Sequence, residues 1–466
     1  MRDYKKQFKG KKITIMGLGL LGRGLGYTKF LAECGADLIV TDLKSKGQLA
    51  TSIKALSKYP NIKFVLGEHR LQDFTNRDMI IKSAGVPLDS IYINEAKKNR
   101  IPVEMDVSLF AKCAPSVTIV GVTGTRGKSM TTMLIYEILK KNEKSLNKKI
   151  YLGGNIRGVA TLPFLKKVKD GDILVCELDS WQLQGFGDAG ISPHISVFTT
   201  FMKDHMNYYG STKLTTNEAM KRYFADKANI FKYQKKDDVL IIRPEMKKLI
   251  SPRLYSGEGV GGEVFKSKLI IADKKDVADW KFAVPGEFQK ENLACAVEVA
   301  KQFNIPISKI KLAVKNFKGV EGRLQYVKTI KGVKIYNDNN ATTPQATVAG
   351  LEALTLHRQG LRGKIILICG GNDKGIEVDL LVKAINKYCK NVIFIPGTET
   401  EKLVVSGNVL VHSINTKNLK EAVAQAMKQS KKGDTILFSP AFSSFSQWSN
   451  EYERNDEFMK IIKKLK

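Results

Sequence analysis

The stretch Thr118-Ile-Val-Gly-Val-Thr-Gly-Thr-Arg-Gly-Lys128-Ser129-Met-Thr-Thr-Met-Leu-Ile constrains this chain more than any other. A β-branched apolar run enters a glycine-rich turn, and Lys-Ser then opens a helical pattern. Strand, loop and helix in that order make a phosphate-binding loop. The first helical N–H groups meet phosphate oxygens, Lys128 adds a point charge, and the Ser129 hydroxyl can ligand Mg²⁺. The spacing departs from the strict motif by one place, because Val122 stands where the first glycine belongs and Gly121 precedes it. Gly124, Thr125, Arg126, Gly127, Lys128 and Ser129 remain as the cradle.

A second glycine turn stands earlier. Lys12-Ile-Thr-Ile-Met leads into Gly17-Leu-Gly19-Leu20-Leu21-Gly22, an amphipathic helix runs to Gly35, and the strand Asp37–Asp42 follows. This is a βαβ nucleotide-binding start with an acidic residue at the end of its second strand. Asp42 can accept from a ribose or a base edge, so an NAD enzyme and other nucleotide binders both satisfy the motif. Ser83-Ala-Gly85 ends another strand and can line the same crevice.

Beyond the phosphate loop, the run Asp172-Ile-Leu-Val-Cys-Glu177 places a carboxylate at a strand's C-terminal end, where a Mg²⁺ ligand belongs. His205 follows a strand and Asp204, and it is one of five histidines. Lys227 lies in a helical stretch and would pass for a surface residue. After Gly319 the pattern alternates strand and helix, with polar clusters closing the strands. At 466 residues the chain suggests about three domains of roughly 150 residues each.

The net charge of +30 admits nucleic acid, an anionic membrane surface or a polyphosphate substrate as partners. The lysines are scattered in pairs, however, with no long basic block, which reads as a solvated surface. Cysteines 34, 113, 176, 295, 369 and 389 are far apart, with no Cys-x-x-Cys pair, as expected of reduced thiols in a cytoplasmic protein. No apolar run reaches the ~18–20 residues of a membrane span, so no membrane insertion is expected.

Taken together, these segments resemble the Mur ligase family from end to end. The likeness rests on Gly17-Leu-Gly-Leu, Ser83-Ala-Gly, Gly124 to Ser129, Gly153-Gly-Asn155-Ile and Glu177-Leu-Asp-Ser-Trp-Gln182-Leu. It continues in Asp204-His-Met, Lys227, Gly322-Arg323, Asn337-Asp-Asn-Asn-Ala-Thr342, Gly370-Gly371 to Lys374, and Ser439-Pro-Ala-Phe-Ser-Ser444-Phe445. Within the family, the Asn-Asp-x-x-Ala-Thr and Ser-Pro-Ala segments are most similar to members that add D-glutamate to UDP-N-acetylmuramoyl-L-alanine.

The resemblance implies an α/β protein of three domains: a Rossmann-like domain for the UDP substrate over 1–114, a central ATP-binding domain over 115–319, and an amino-acid-binding domain over 320–466. It turns the first crevice from NAD to the UDP of a sugar substrate. Leu20, Asp42, Lys44, Ser83 and Gly85 would hold that nucleotide, with Asn155, Gln182 and His205 facing the muramoyl-alanine side. It implies ATP held by Gly124, Thr125, Gly127, Lys128, Ser129, Asn292, Arg323 and Asp338. Mg²⁺ would be held by Ser129, Glu177, His205 and a carbamylated Lys227. Lys374, Ser444 and Phe445 would hold the amino acid. The catalytic set would be Lys128, Glu177, His205 and Lys227, in a cytoplasmic monomer with no specific nucleic-acid partner.

Several positions depart from the family pattern. Arg126 stands for Asn, Met130 for Ser or Thr, Leu21 for Thr, Phe288-Gln289 for a His-Asn pair near adenine, Asn340 for a lysine, and Asn372-Asp373 for Asp-Gly. A ligase of the same family with another amino acid or acceptor is therefore a competing expectation. A basic nucleic-acid-binding ATPase is another.

Overall fold

The computed structural model describes residues 4–87, 89–210, 214–250, 267–356, 364–372, 377–444 and 447–465. Lys374 and Phe445 lie outside the described residues. The chain divides into two compact units, Met1–Val277 with Asn292–Ile310, and Ala278–Glu291 with Lys311–Lys466.

The first unit contains two parallel sheets. One runs β3-β2-β1-β4-β5, from β1 (Lys12–Met16), β2 (Asp37–Asp42), β3 (Ile62–Leu66), β4 (Met79–Lys82) and β5 (Val103–Glu104). Its order reverses between β1 and β4, and ligands of open α/β sheets bind at the carboxyl ends of strands at such a reversal. The glycine turn after β1 and the Ser83 turn after β4 both stand there. The other sheet runs β11-β10-β9-β6-β8-β7, from β6 (Thr118–Thr123), β7 (Ile150–Gly154), β8 (Ile173–Glu177), β9 (Ile195–Phe198), β10 (Val239–Ile242) and β11 (Lys268–Ile271). The phosphate loop leaves β6, inside the sheet, with β8 and β9 on its two sides.

These strands form because their residues are β-branched and apolar on both faces, as a parallel sheet covered by helices requires. Ile13, Ile15, Val120, Val122, Val175 and Ile241 are all fully buried. Residues of both sheets and their helices, among them Leu18, Phe110, Leu162 and Leu183, belong to one hydrophobic cluster. Polar joints add to it. The Asp106 carboxylate, buried at the start of the helix Asp106–Cys113, accepts from the backbone N–H groups of Thr161 and Leu162 at 2.8 and 2.7 Å. Burial raises its pKa, and those two N–H bonds oppose the shift. Arg23 donates to Asn155 Oδ1 at 2.8 Å, and the Lys82 ammonium reaches Gln184 Oε1 at 3.4 Å.

The second unit carries a sheet ordered β12-β13-β17-β14-β15-β16, from β12 (Gln325–Ile330), β13 (Val333–Asn337), β14 (Ile365–Gly370), β15 (Cys389–Phe394), β16 (His412–Asn415) and β17 (Thr435–Ala441). All its pairings are parallel except β12 with β13. β13, β14 and β17 are apolar runs, whereas β12 and β16 have largely solvated faces that break the apolar pattern.

Asp106→Ala should lower stability by about 2–4 kcal/mol, since it strands two buried N–H groups. A urea midpoint for the first unit equal to that of the parent would refute the role given to this joint.

Candidate active site

The phosphate loop is held open by glycines. Gly124 has φ +143°, and a Cβ there would lie 2.0 Å from Thr199 Oγ1 and 2.8 Å from the Thr200 nitrogen. Gly127, at φ +88°, is the N-cap of the helix Lys128–Lys141, so that helix starts with its N–H groups facing the loop. Thr200 fixes the turn from the neighbouring strand. Its carbonyl accepts from Thr125 N at 2.7 Å, and its hydroxyl accepts from Arg126 N at 2.8 Å.

Two lysines meet on one carbonyl. Lys128 Nζ donates to the Gly124 oxygen at 2.9 Å and to the Thr125 oxygen at 3.2 Å. Lys227 Nζ, carried by the helix Thr216–Ala228, donates to the same Gly124 oxygen at 2.9 Å and lies 4.9 Å from the Tyr223 ring centroid. Lys227 is only 1% exposed. Burial, reinforced by the Lys128 charge, holds its pKa well below that of an ordinary lysine. That shift favours the neutral amine, the form in which a lysine is a nucleophile.

Glu177 ends β8, buried, in the strand beside the loop. Its negative charge is one of those that oppose the fall in the Lys227 pKa, with Asp179 and Asp204. Its own main-chain oxygen accepts from Asn155 N at 2.7 Å. His205 sits in the left-handed region at φ +56°, unusual for a non-glycine residue and a known mark of functional positions. Its ring packs 5.0 Å from Trp181 and 5.8 Å from Tyr223. Burial lowers its pKa, Asp204 opposes this, and Lys128 and Lys227 lower it further, which favours the neutral imidazole that binds metals.

Among the described residues, no group of three or more His, Cys, Asp or Glu could hold a metal ion. Ser129 stands on the first turn of the phosphate-loop helix and Glu177 ends the strand beside the loop, and both carry oxygen donors of the kind a hard cation takes.

At the first sheet, both Asp42 oxygens are engaged. Oδ2 accepts from Gly19 N and Oδ1 from Lys44 N, each at 2.9 Å, which ties two crevice loops together. Leu20 is half-exposed beside them. A Cβ on Gly17 (φ +94°) would stand 2.4 Å from Ser83 Oγ, so only glycine permits that approach. Gln182 completes a capping box with Asp179, its Oε1 accepting from Asp179 N at 3.3 Å. Its Nε2 is buried and makes no hydrogen bond among the described residues. A bound molecule or an ordered water can accept from such a donor.

In the second unit, Asp338 is buried behind β13. It accepts from Leu324 N and from the Ser439 hydroxyl, both at 2.9 Å. Burial pushes its carboxyl up to about 7, while those two bonds and Arg323 pull it down. Arg323 itself carries a buried Nε without a hydrogen bond among the described residues. Ser444 is buried just after β17, and its carbonyl accepts from Trp448 N at 3.1 Å.

Three family models match: the Mur ligase MurD-like N-terminal domain over residues 11–104, the Mur ligase middle domain over 122–300, and the Mur ligase glutamate ligase domain over 322–442. A UDP-N-acetylmuramoylalanine–D-glutamate ligase of Borreliella afzelii is 33% identical over 474 residues, covering 98% of this chain and 99% of the relative. The chain belongs to the Mur ligase family. A Roseiflexus protein of the same name is 31% identical, again over 98% of this chain and 99% of its own length. Among solved structures, the UDP-N-acetylmuramate-alanine ligase of Thermotoga maritima has a TM-score of 0.59 at 17% identity and covers 98% of this chain and 100% of its own. A pseudomurein peptide ligase of Methanothermus fervidus reaches 0.53 at 17% identity, with the same coverages of 98% and 100%. These two share the three-sheet α/β fold.

Some residues of this Mur ligase site escaped the sequence reading. Trp181, inside the Glu177–Leu183 motif, walls His205, and Tyr223 walls both His205 and Lys227; neither position carries a sequence signal for that role. Lys82 and Asp226 form a buried polar line through Gln184, whose Nε2 donates to Asp226 Oδ2 at 2.7 Å. Their spacing along the chain carries no signal of that contact. Asn292, expected beside ATP, is buried; its Oδ1 accepts from Arg243 at 2.5 Å and from Thr131 at 3.1 Å.

The Asp338 pKa has a consequence for stability. Its folded value, about 7, lies above the ordinary 3.8. The contribution is therefore fully present below the unfolded value and is lost as pH rises through the folded one. Asp338→Asn should remove that slope. Its stability relative to the parent should improve by on the order of 2 kcal/mol between about pH 5 and about pH 8. Parallel thermal-melting curves across that range would contradict the assignment.

Proposed function

We propose that this Mur ligase joins D-glutamate to UDP-N-acetylmuramoyl-L-alanine in peptidoglycan precursor synthesis, with ATP converted to ADP and phosphate. The observation that carries the reading is the end-to-end similarity to relatives of that name, 33% identical over 98% of the chain. The phosphate loop with its two converging lysines supports the chemistry.

In the first step the alanyl carboxylate attacks the γ-phosphorus, an oxygen–phosphorus bond forms, and ADP leaves. In the second the D-glutamate amine attacks the acyl-phosphate carbonyl, the carbon–oxygen bond to phosphate breaks, and the amine proton is lost. Both steps bring anions together, so fixed positive charge dominates catalysis. Lys128 binds the β- and γ-phosphate oxygens, and the Gly124–Ser129 amides cradle them. Mg²⁺, when bound, would neutralise phosphate charge, with Ser129, Glu177, His205 and a carbamylated Lys227 as its protein ligands. A neutral, buried Lys227 amine suits capture of CO₂, which turns it into an anionic oxygen donor.

Residues 1–114 dock the UDP through Leu20, Asp42, Lys44, Ser83 and Gly85. Residues 115–319 carry ATP. Of residues 320–466, Arg323 and Asp338 are assigned to the nucleotide, and Lys374, Ser444 and Phe445 to the amino acid. Asn155, Gln182 and His205 face the muramoyl-alanine, and the buried Gln182 Nε2 is a donor awaiting such a partner. The protein works as a cytoplasmic monomer. The six cysteines form no disulfide among the described residues, which suits that compartment.

A second reading keeps the mechanism and changes the amino acid. Asn340, where a lysine is expected, is tied to the Asn339 side chain at 3.1 Å.

Phosphate release from ATP and Mg²⁺ with UDP-N-acetylmuramoyl-L-alanine should require D-glutamate. Release with another amino acid alone would favour the second reading. No release with any would exclude both. Lys227→Ala should lower turnover by about 10²–10³-fold, and full activity would remove Lys227 from the mechanism. Ser444→Ala should raise the D-glutamate KM far more than the ATP KM, and equal effects would displace Ser444 from the amino-acid site.

A further inference from the structure

We infer that Arg243 is a positioning residue of the phosphate site, bracing the Gly127 turn from behind and placing a second fixed positive charge beside Lys128. The inference rests on the ATP-site reading above and deepens it. The sheet register sets the geometry. Thr123 pairs with Phe198 and Phe198 with Ile242, so Gly124, Thr199 and Arg243 are the next residues along three neighbouring strands. Arg243 therefore leaves β10 at the same edge from which the phosphate loop leaves β6.

Its guanidinium fills the space behind the turn. A Cβ on Gly127 would lie 2.9 Å from Arg243 Nη2 and 2.5 Å from Asn292 Oδ1. Arg243 Nη2 donates to that Asn292 oxygen at 2.5 Å, and the oxygen also accepts from Thr131 Oγ1 at 3.1 Å, one helical turn into the phosphate-loop helix. Arg243, Asn292 and the helix Lys128–Lys141 are thereby fastened together at the point where Gly127 must turn. Glu245, an exposed residue, stands 3.7 Å from Arg243 Nη1.

The choice of a cation here is informative. Only 5% of the Arg243 side chain is exposed, so its field is weakly screened by water and salt. It stands behind the N-terminus of a helix, where the peptide dipoles already present about half a positive charge. Lys128 is on the same turn. Like charges so arranged repel, and a polyphosphate resolves the repulsion. A residue needed only to tether Asn292 could be a neutral donor. The arrangement therefore predicts a contribution that grows with ligand phosphate charge and vanishes for a nucleoside.

The test is calorimetric binding of ATP and of adenosine, each with Mg²⁺, to the full chain, to Arg243→Gln and to Arg243→Lys. Gln keeps a donor for Asn292 and removes the charge, while Lys keeps the charge. Arg243→Gln should weaken ATP by about tenfold or more and leave adenosine within about twofold, and Arg243→Lys should restore most of the ATP affinity. ATP and adenosine weakening in parallel, or ATP unchanged, would overturn the inference. Should Arg243→Gln lose its thermal unfolding transition, Arg243→Lys decides alone: an ATP-to-adenosine affinity ratio within about threefold of the parent supports the role of charge, and a tenfold fall overturns it. A parent that binds adenosine as tightly as ATP would instead overturn the phosphate-site reading itself, and this inference with it.

Discussion

The Gly124 carbonyl accepts from Lys128 and Lys227, two side chains from different helices, the first half-buried and the second buried. Burial of Lys227, with the Lys128 charge beside it, holds Lys227 toward its neutral form. Much else follows from that constraint. An amine so held is more available for chemistry. The nearby His205 imidazole is pushed the same way, by burial first and then by the Lys128 charge. The carboxylates of Glu177, Asp179 and Asp204 surround the pair without cancelling its effect. A site built around anionic ligands is thus electrostatically prepared before any of them binds.

The glycine positions make that preparation possible. Gly124 and Gly127 hold the loop in backbone conformations that side chains rarely adopt, with Thr199, Thr200, Arg243 and Asn292 occupying the volume a Cβ would need. Parallel strand register brings those residues to a common edge. The wall of aromatic rings, Trp181, Tyr223 and Tyr208, then fixes His205 at its left-handed backbone position. Polar joints carry the same order into the first sheet. Arg23 meets Asn155, and Asp106 caps the Thr161–Leu162 turn, so the first crevice and the phosphate loop belong to one compact unit.

In the C-terminal unit, the Asn337-Asp-Asn-Asn segment shows how one motif divides its labour. Asn337 bonds Asn455, Asp338 binds Leu324 and Ser439, and Asn339 receives the buried Arg454 guanidinium. The segment is first of all an internal joint of the fold. Asn340 is its half-buried member. Phe288 is exposed on the first turn of the helix Glu287–Gln302, beside a buried Gln289.

The sequence by itself determined the α/β class, the phosphate loop and the βαβ start. Each rests on local chemistry: a β-branched run, a glycine turn, a helix opening on Lys-Ser. It also singled out Glu177 and His205, because a polar residue closing an apolar strand has few other uses. Only the tertiary structure decided that Lys227 is buried, that it shares a carbonyl with Lys128, and that Arg243 and Asn292 stand behind Gly127. These facts depend on contacts between residues 49 to 161 positions apart in the chain, and no local pattern encodes which side chains a parallel register will bring to one edge. Burial is likewise a property of the assembled helices. A lysine in an amphipathic stretch reads as solvated until the neighbouring sheet is in place to exclude the water.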